Sequence, residues 1–169
     1  IEEGQRVEAG ETLLAHAEEL GRLFTKEQGR PVDAAKQEIQ GAGAWLQAVS
    51  KMTPPVHVSE DSATQFIETR YAPLGVVCAI APWNFPVTLA MWKVAPALVA
   101  GNTMVLKPSP FTPLCTLKIG ELFRDIFPPG VFNVISGGDD LGPWMPSHPG
   151  FAKISFTGSV PVGKQLAAM

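Results

Sequence analysis

Two hydrophobic periods divide the chain. Over residues 10–28 the side chains Leu13, Leu14, Ala17, Leu20, Leu23 and Phe24 recur at threes and fours with charges between them, the single apolar stripe of a surface helix that stops at Gly29-Arg30-Pro31. Ala35, Ile39, Ala42, Leu46 and Val49 predict a second helix over 32–51, closed by Thr53-Pro54-Pro55. Neither helix holds obvious chemistry, and Glu27 and Arg30 read as solvated helix-end charges. The period then changes. Short extended pieces at 56–58 and 65–71 flank the polar turn Ser59-Glu60-Asp61-Ser62, a hairpin outside the main core.

From Gly75 to Ala81 every residue but the glycine is apolar, too short a run for a comfortable helix and rich in β-branched side chains, which predicts a central parallel strand covered on both faces. Pro82 and Pro86 stop it, the apolar segment 87–100 follows as a helix, and Gly101-Asn102 ends that. The same unit repeats: a strand over 102–107 closed by Pro108-Ser109-Pro110, a helix over 112–127, a strand over 131–135 ending at Ser136-Gly137-Gly138, and a short helical piece at 141–145. A strand over 153–156 then runs into Thr157-Gly158-Ser159 and another helix start. Strands alternating with helices predict an α/β fold with a parallel sheet and right-handed crossovers. Asn84, Lys107, Ser109, Gly138 and Ser159 then fall at the carboxyl ends of strands, along the edge where open α/β sheets bind small molecules.

Composition narrows the function. With 169 residues, 46% hydrophobic and 17% charged, the chain can bury one good core. A net charge of -3 supplies no basic face, which excludes nucleic acid and an anionic membrane surface as partners. The first residues, Ile1-Glu2-Glu3-Gly4, have neither basic residues nor an apolar run, and the segment 87–100 is too short to span a bilayer, so the cytoplasm is the expected compartment. Cys78 and Cys115 lie in apolar segments without metal-type spacing and read as inert buried thiols; His57 has no cluster around it, and no metal is expected. The chain opens on Ile1 and closes at Met169 within a helix start, which reads as a piece of a longer protein.

The glycine motifs exclude more than they assign. No GxGxxG occurs. Gly158 to Gly163-Lys164 matches a phosphate-binding loop as far as the lysine, but Gln165 stands where a magnesium-binding hydroxyl is needed and Pro161 removes an amide donor. A nucleotide-binding protein of that type is the alternative, and a noncatalytic binding or assembly fragment is another. Gly158-Ser159 can still present main-chain amides to an anion at a helix start.

Five motifs in register carry a resemblance: Ala81-Pro-Trp-Asn-Phe-Pro86, the segment from Trp92-Lys93 to Gly101-Asn102, Lys107-Pro-Ser109, Gly130-Val-Phe-Asn-Val134 to Gly138, and Phe156-Thr-Gly-Ser159. Together they resemble the cofactor half of the NAD(P)-dependent aldehyde dehydrogenase superfamily, over most of the chain. The resemblance implies a helical segment over 1–55, a β-hairpin oligomerisation arm over 56–72 and a Rossmann-like NAD(P)-binding domain over 73–169, in a protein that is a homodimer or homotetramer when complete. It implies oxidation of an aldehyde to a carboxylic acid with NAD or NADP as hydride acceptor.

Residue by residue, the resemblance makes Asn84 the catalytic amide that stabilises negative charge on the aldehyde oxygen. Lys107 and Ser109 would meet the adenosine ribose; Ile80, Ala81 and Trp83 would lie beside the cofactor, with Phe156 next to it. Gly138 and Gly142 would let the backbone approach the adenine side, and Gly158 with Ser159 would take the pyrophosphate. Phe85, Leu89 and Trp92, at helical spacing, are either a core stripe or the wall of a substrate tunnel; Lys93 is either a proton-relay group or a snorkelling lysine. The family's nucleophilic cysteine and its general base belong to sequence beyond residue 169. At Pro110, where many members carry an acid that binds the ribose hydroxyls, repulsion of a 2′-phosphate is lost and NADP becomes admissible.

Overall fold

The computed structural model describes residues 1–138 and 140–169. Three helices open the chain: α1 (Glu3–Ala15), α2 (Ala17–Gln28) and α3 (Val32–Ser50). The single helix expected over 10–28 is thus two. At His16 the backbone leaves helical geometry (φ -98°, ψ 12°), and its imidazole bonds back to the Thr12 carbonyl at 2.9 Å. The turn lets Leu13 on α1 and Leu20 on α2 both be fully buried. Neither glycine nor proline marks it in the sequence. The α1–α3 crossing is close, because Gly10 and Gly43 face each other; a Cβ on either would come within 2.9 Å of the other's carbonyl oxygen.

A hairpin follows, with β1 (His57–Asp61) antiparallel to β2 (Phe66–Thr69) and an irregularity in register between Val58 and Glu60. It leaves Val58, Phe66 and Ile67 exposed.

The rest of the chain winds a parallel sheet: β3 (Val76–Ile80), α4 (Pro86–Val99), β4 (Thr103–Lys107), α5 (Leu114–Leu122), β5 (Phe132–Val134), α6 (Leu141–Ser147), β6 (Lys153–Phe156) and α7 (Val160–Ala167). Among the described residues the strand order is β5-β4-β3-β6, all parallel. The sheet grows from β3 through β4 to β5 in one direction, then β6 adds on the opposite side of β3. That reversal makes the β3–β6 junction the switch point, where a crevice opens beyond the strand ends.

Strand β3 is covered on both faces, as its unbroken apolar run requires. Val77, Ala79 and Ala81 point into the main core with α1 to α5, whereas Cys78 and Ile80 alternate into a smaller cluster with Met145, Ile154 and Phe156. Helix α5 ends five residues before the expected limit at 127. Phe123, Ile126 and Phe127 remain buried, but in a turn that stacks Phe123 and Phe127 on Phe132. Burial of these rings continued the apolar pattern past the helix, and the pattern does not report the backbone. No helix among the described residues is long and apolar enough to cross a membrane.

Candidate active site

The chain between β3 and α4 forms a crest. Pro82 and Pro86 bound it, Pro86 being the first residue of α4, where a missing N–H costs nothing. Hydrogen bonds from the Ala81 N–H to the Lys107 carbonyl (3.0 Å) and from the Thr157 N–H to the Ile80 carbonyl (3.1 Å) extend the β pairing to the strand ends and align β4 and β6 with the crest. A cavity of about 640 Å³ opens there. It is lined by Ile80, Ala81, Trp83, Asn84 and Leu89 from the crest side, Lys107, Ser109, Pro110 and Phe111 from the end of β4, and Phe156, Thr157, Gly158 and Ser159 from the end of β6.

Helices far away in sequence hold the crest. Arg30 Nη2 donates to the Asn84 carbonyl at 2.5 Å, and Gln28 Nε2 donates to the carbonyls of Trp83 (2.8 Å) and Asn84 (3.1 Å). Arg30 also pairs with Glu38, whose other oxygen accepts the N–H groups of Val87 (3.1 Å) and Thr88 (3.0 Å), two of the unpartnered donors in the first turn of α4. The guanidinium lies 4.5 Å from the centroid of Phe85 and 5.1 Å from that of Phe24. Burial pushes the Glu38 carboxyl above its ordinary range, against the pull of Thr88, Arg30 and Val87. Glu27 caps α5 in the same way, accepting from Leu114 (2.7 Å) and Cys115 (3.0 Å). The expectation that Glu27 and Arg30 are solvated is therefore corrected: Arg30 pairs with Glu38 on α3, and the main-chain groups that Arg30 and Glu27 hold lie 54 or more residues away, beyond the reach of a helical pattern. One signal was present for Glu38, a charge on the stripe of Ala35, Ile39 and Ala42. Glu38→Gln is expected to lower stability by ~2 kcal/mol in denaturant unfolding, because Arg30 loses its charged partner while the two amides keep an acceptor.

The remaining site residues differ in their setting. Lys107 is 5% exposed, with its ammonium 3.4 Å from the Pro108 carbonyl, and Ser109 is equally sequestered, its hydroxyl accepting from the Phe111 N–H at 3.3 Å. At Gly158 a Cβ would sit 2.5 Å from the Phe156 ring, so the backbone can pass there only without a side chain. Ser159 holds the N-cap position of α7 without a side-chain capping bond; Val160 and Val162, in the first turn, have N–H groups without intrahelical partners, and Pro161 has no N–H. A buried cation, a hydroxyl, a glycine and helix-start amides around an apolar cleft form a donor set that fits a dinucleotide.

Other expected residues lie elsewhere. Gly138 and Gly142 are not among the residues lining this cavity. Phe85 stacks on Arg30, and Trp92 packs against Trp45, with ring centroids 6.0 Å apart. Trp92 and Lys93 line a second cavity of about 420 Å³ with Tyr71, Leu74 and Lys153. Burial lowers the Lys93 pKa, and its ammonium donates to the Thr157 hydroxyl at 2.6 Å, so Lys93 touches a residue of the first cavity from the second.

Neither cysteine has the setting of a nucleophile. Both are fully buried; burial pushes the Cys78 thiol up to about 11 and the Cys115 thiol higher still, helped by the charges of Glu27 and Glu38. Alkylation followed by mass mapping is expected to leave both unmodified in the folded protein and to label both after unfolding. Prompt labelling of the native protein would contradict their burial.

Comparison with known proteins agrees with this fold. The profile of the aldehyde dehydrogenase family matches residues 7–169. FUS7 of Gibberella fujikuroi, named as a candidate aldehyde dehydrogenase, is 50% identical over 153 residues, covering 90% of this chain and 33% of that protein. Aldehyde dehydrogenase LUC3 of a Fusarium species is 47% identical over 90% of this chain and 32% of its own length. Among solved structures, PnpE of Pseudomonas sp. WBC-3 superposes with a TM-score of 0.93 at 33% identity, covering 98% of this chain and 35% of that one; it has also been solved in complex with nicotinamide adenine dinucleotide. The chain spans about one third of the length of the curated relatives it matches.

Proposed function

The chain belongs to the aldehyde dehydrogenase family, and from that premise we propose that it is the cofactor-binding part of an enzyme that oxidises an aldehyde to a carboxylic acid with NAD or NADP. The observation that carries this reading is the convergence of Asn84, Lys107, Ser109, Gly158 and Ser159 on one cavity at the switch point of the sheet. Relatives bound to or dependent on NAD and NADP support the cofactor class.

When bound, the nicotinamide cofactor supplies the hydride acceptor. The residues of this chain bind it and prepare the electrophile. Lys107 and Ser109 hold the adenosine ribose, and the N–H groups at the start of α7 take the pyrophosphate where Gly158 lets the backbone come close. Asn84, aimed from the crest, donates its side-chain N–H to the aldehyde oxygen as charge develops there, an interaction stronger in the transition state than in the ground state. Leu89 supplies apolar surface beside it. Gly138 and Gly142 belong to the adenine side, Phe85 and Trp92 to the approach for substrate, and Lys93 to proton movement through Thr157. The nucleophile and general base are not among these residues, and the exposed hairpin β1–β2 serves assembly into a dimer or tetramer.

Full-length protein incubated with short aldehydes and either cofactor is expected to form reduced nicotinamide at a rate that depends on aldehyde. A folded protein that reduces neither cofactor with any aldehyde, yet hydrolyses ATP with magnesium, would replace this reading with the phosphate-loop alternative.

A further inference from the structure

The crest that carries Asn84 is held by side chains outside the parallel-sheet domain. Asn84 is exposed, and among the described residues its hydrogen bonds with other side chains all engage the main-chain oxygen. Gln28 Nε2 bridges the carbonyls of Trp83 and Asn84 at 2.8 and 3.1 Å, and Arg30 Nη2 takes the Asn84 carbonyl at 2.5 Å. Those two carbonyls belong to the two peptide planes that meet at the Asn84 Cα. Each plane is rigid, so fixing both fixes φ and ψ of Asn84 and with them the direction of its Cα–Cβ bond. Arg30 is itself immobilised: it pairs with buried Glu38 and lies between the rings of Phe24 and Phe85. Glu38 in turn binds the first amides of α4, so the crest is anchored at both ends by the first helical layer.

We infer that Gln28 and Arg30 are positioning residues for catalysis, orienting the Asn84 amide toward the carbonyl oxygen of the substrate through the two peptide planes that flank it. The inference rests on the proposed aldehyde-oxidising role of Asn84. It explains why a helix end as distant in sequence as Gln28 to Arg30 reaches over the sheet to a loop that Pro82 and Pro86 already bound. Neither residue is among those lining the cavity; each acts through the backbone of Asn84.

The test uses the full-length enzyme with Gln28→Leu and Arg30→Met, alone and combined with Asn84→Ala. A displaced catalytic group costs rate steeply, so kcat is expected to fall about threefold in Gln28→Leu and about tenfold in Arg30→Met, with the NAD dissociation constant within about twofold of wild type. A merely structural role would not predict the next result: in the Asn84→Ala background neither substitution lowers kcat further, because the amide they orient is gone. Full additivity in the double variants, or unchanged kcat in both single variants alongside a large loss in Asn84→Ala, overturns this inference alone. Turnover that survives Asn84→Ala overturns both the inference and the role it rests on. Should Arg30→Met fail to fold, Gln28→Leu decides by itself, since it lies at a helix end and its loss strands no buried charge.

Discussion

Asn84→Ala in the full-length enzyme is expected to lower kcat about a hundredfold, ~2.7 kcal/mol in barrier, with little change in cofactor affinity. The size follows from where the charge appears. An aldehyde oxygen is a modest acceptor before attack and becomes nearly a full anion after it, so a fixed N–H aimed at it contributes mainly in the transition state. The substitution is clean for a structural reason. Gln28 and Arg30 hold the main-chain oxygen of residue 84, not its side chain, and Glu38 holds the amides of Val87 and Thr88, so alanine at this position leaves the crest tethered. Steady-state rates with saturating cofactor, beside an independent titration of cofactor binding, separate the two effects. Intact turnover would reduce Asn84 to a crest-forming residue.

Pro110→Glu is expected to shift the ratio of kcat/KM for NAD over NADP by about a hundredfold toward NAD, from wild-type efficiencies within about tenfold of each other. Pro110 lines the cavity next to Ser109 and Lys107, at the end of β4, which is the proposed position of the adenosine ribose. It carries neither a charge to repel a 2′-phosphate nor an acceptor for ribose hydroxyls. Lys107 lies buried nearby, its Nζ 3.4 Å from the Pro108 carbonyl. A carboxylate introduced here would face the phosphate dianion across a partly desolvated space, where repulsion is several times what it is in bulk water. The same carboxylate can accept both ribose hydroxyls of NAD. Measuring both cofactors in wild type and variant decides the matter; a strong NAD preference in wild type, unmoved by the substitution, would place the selectivity elsewhere.

What the sequence made legible follows from the reach of each signal. The unbroken apolar run at 76–81, the stops at Pro82 and Pro86, and the strand–helix alternation after residue 73 are local, and they place Asn84, Lys107, Ser109 and Ser159 at strand ends before any coordinates are known. The order β5-β4-β3-β6, which brings those ends to one cavity, depends on pairings between residues 76 apart in sequence, such as Val77 with Lys153. Arg30 and Glu38 were hidden for the same reason, since the bonds that give them meaning join α2 and α3 to a crest some 50 residues on. The break at His16 and the early end of α5 fall where buried side chains continue across a change in backbone, a change the hydrophobic pattern does not encode. Chemistry that depends on neighbours in space, such as the raised Cys78 thiol and the lowered Lys93 ammonium, waits on the fold altogether.

The most direct measurement of the central claim, that the crevice at the β3–β6 junction is the cofactor site, is a crystal structure of the full-length protein with NAD. The adenosine ribose is predicted within hydrogen-bonding distance of Lys107 and Ser109, the pyrophosphate at the N–H groups that open α7 beside Gly158, and the nicotinamide next to the crest near Asn84. A dinucleotide bound at the second cavity by Trp92 and Lys93, or a nucleotide triphosphate wrapped by residues 158–164 in its place, would contradict the account.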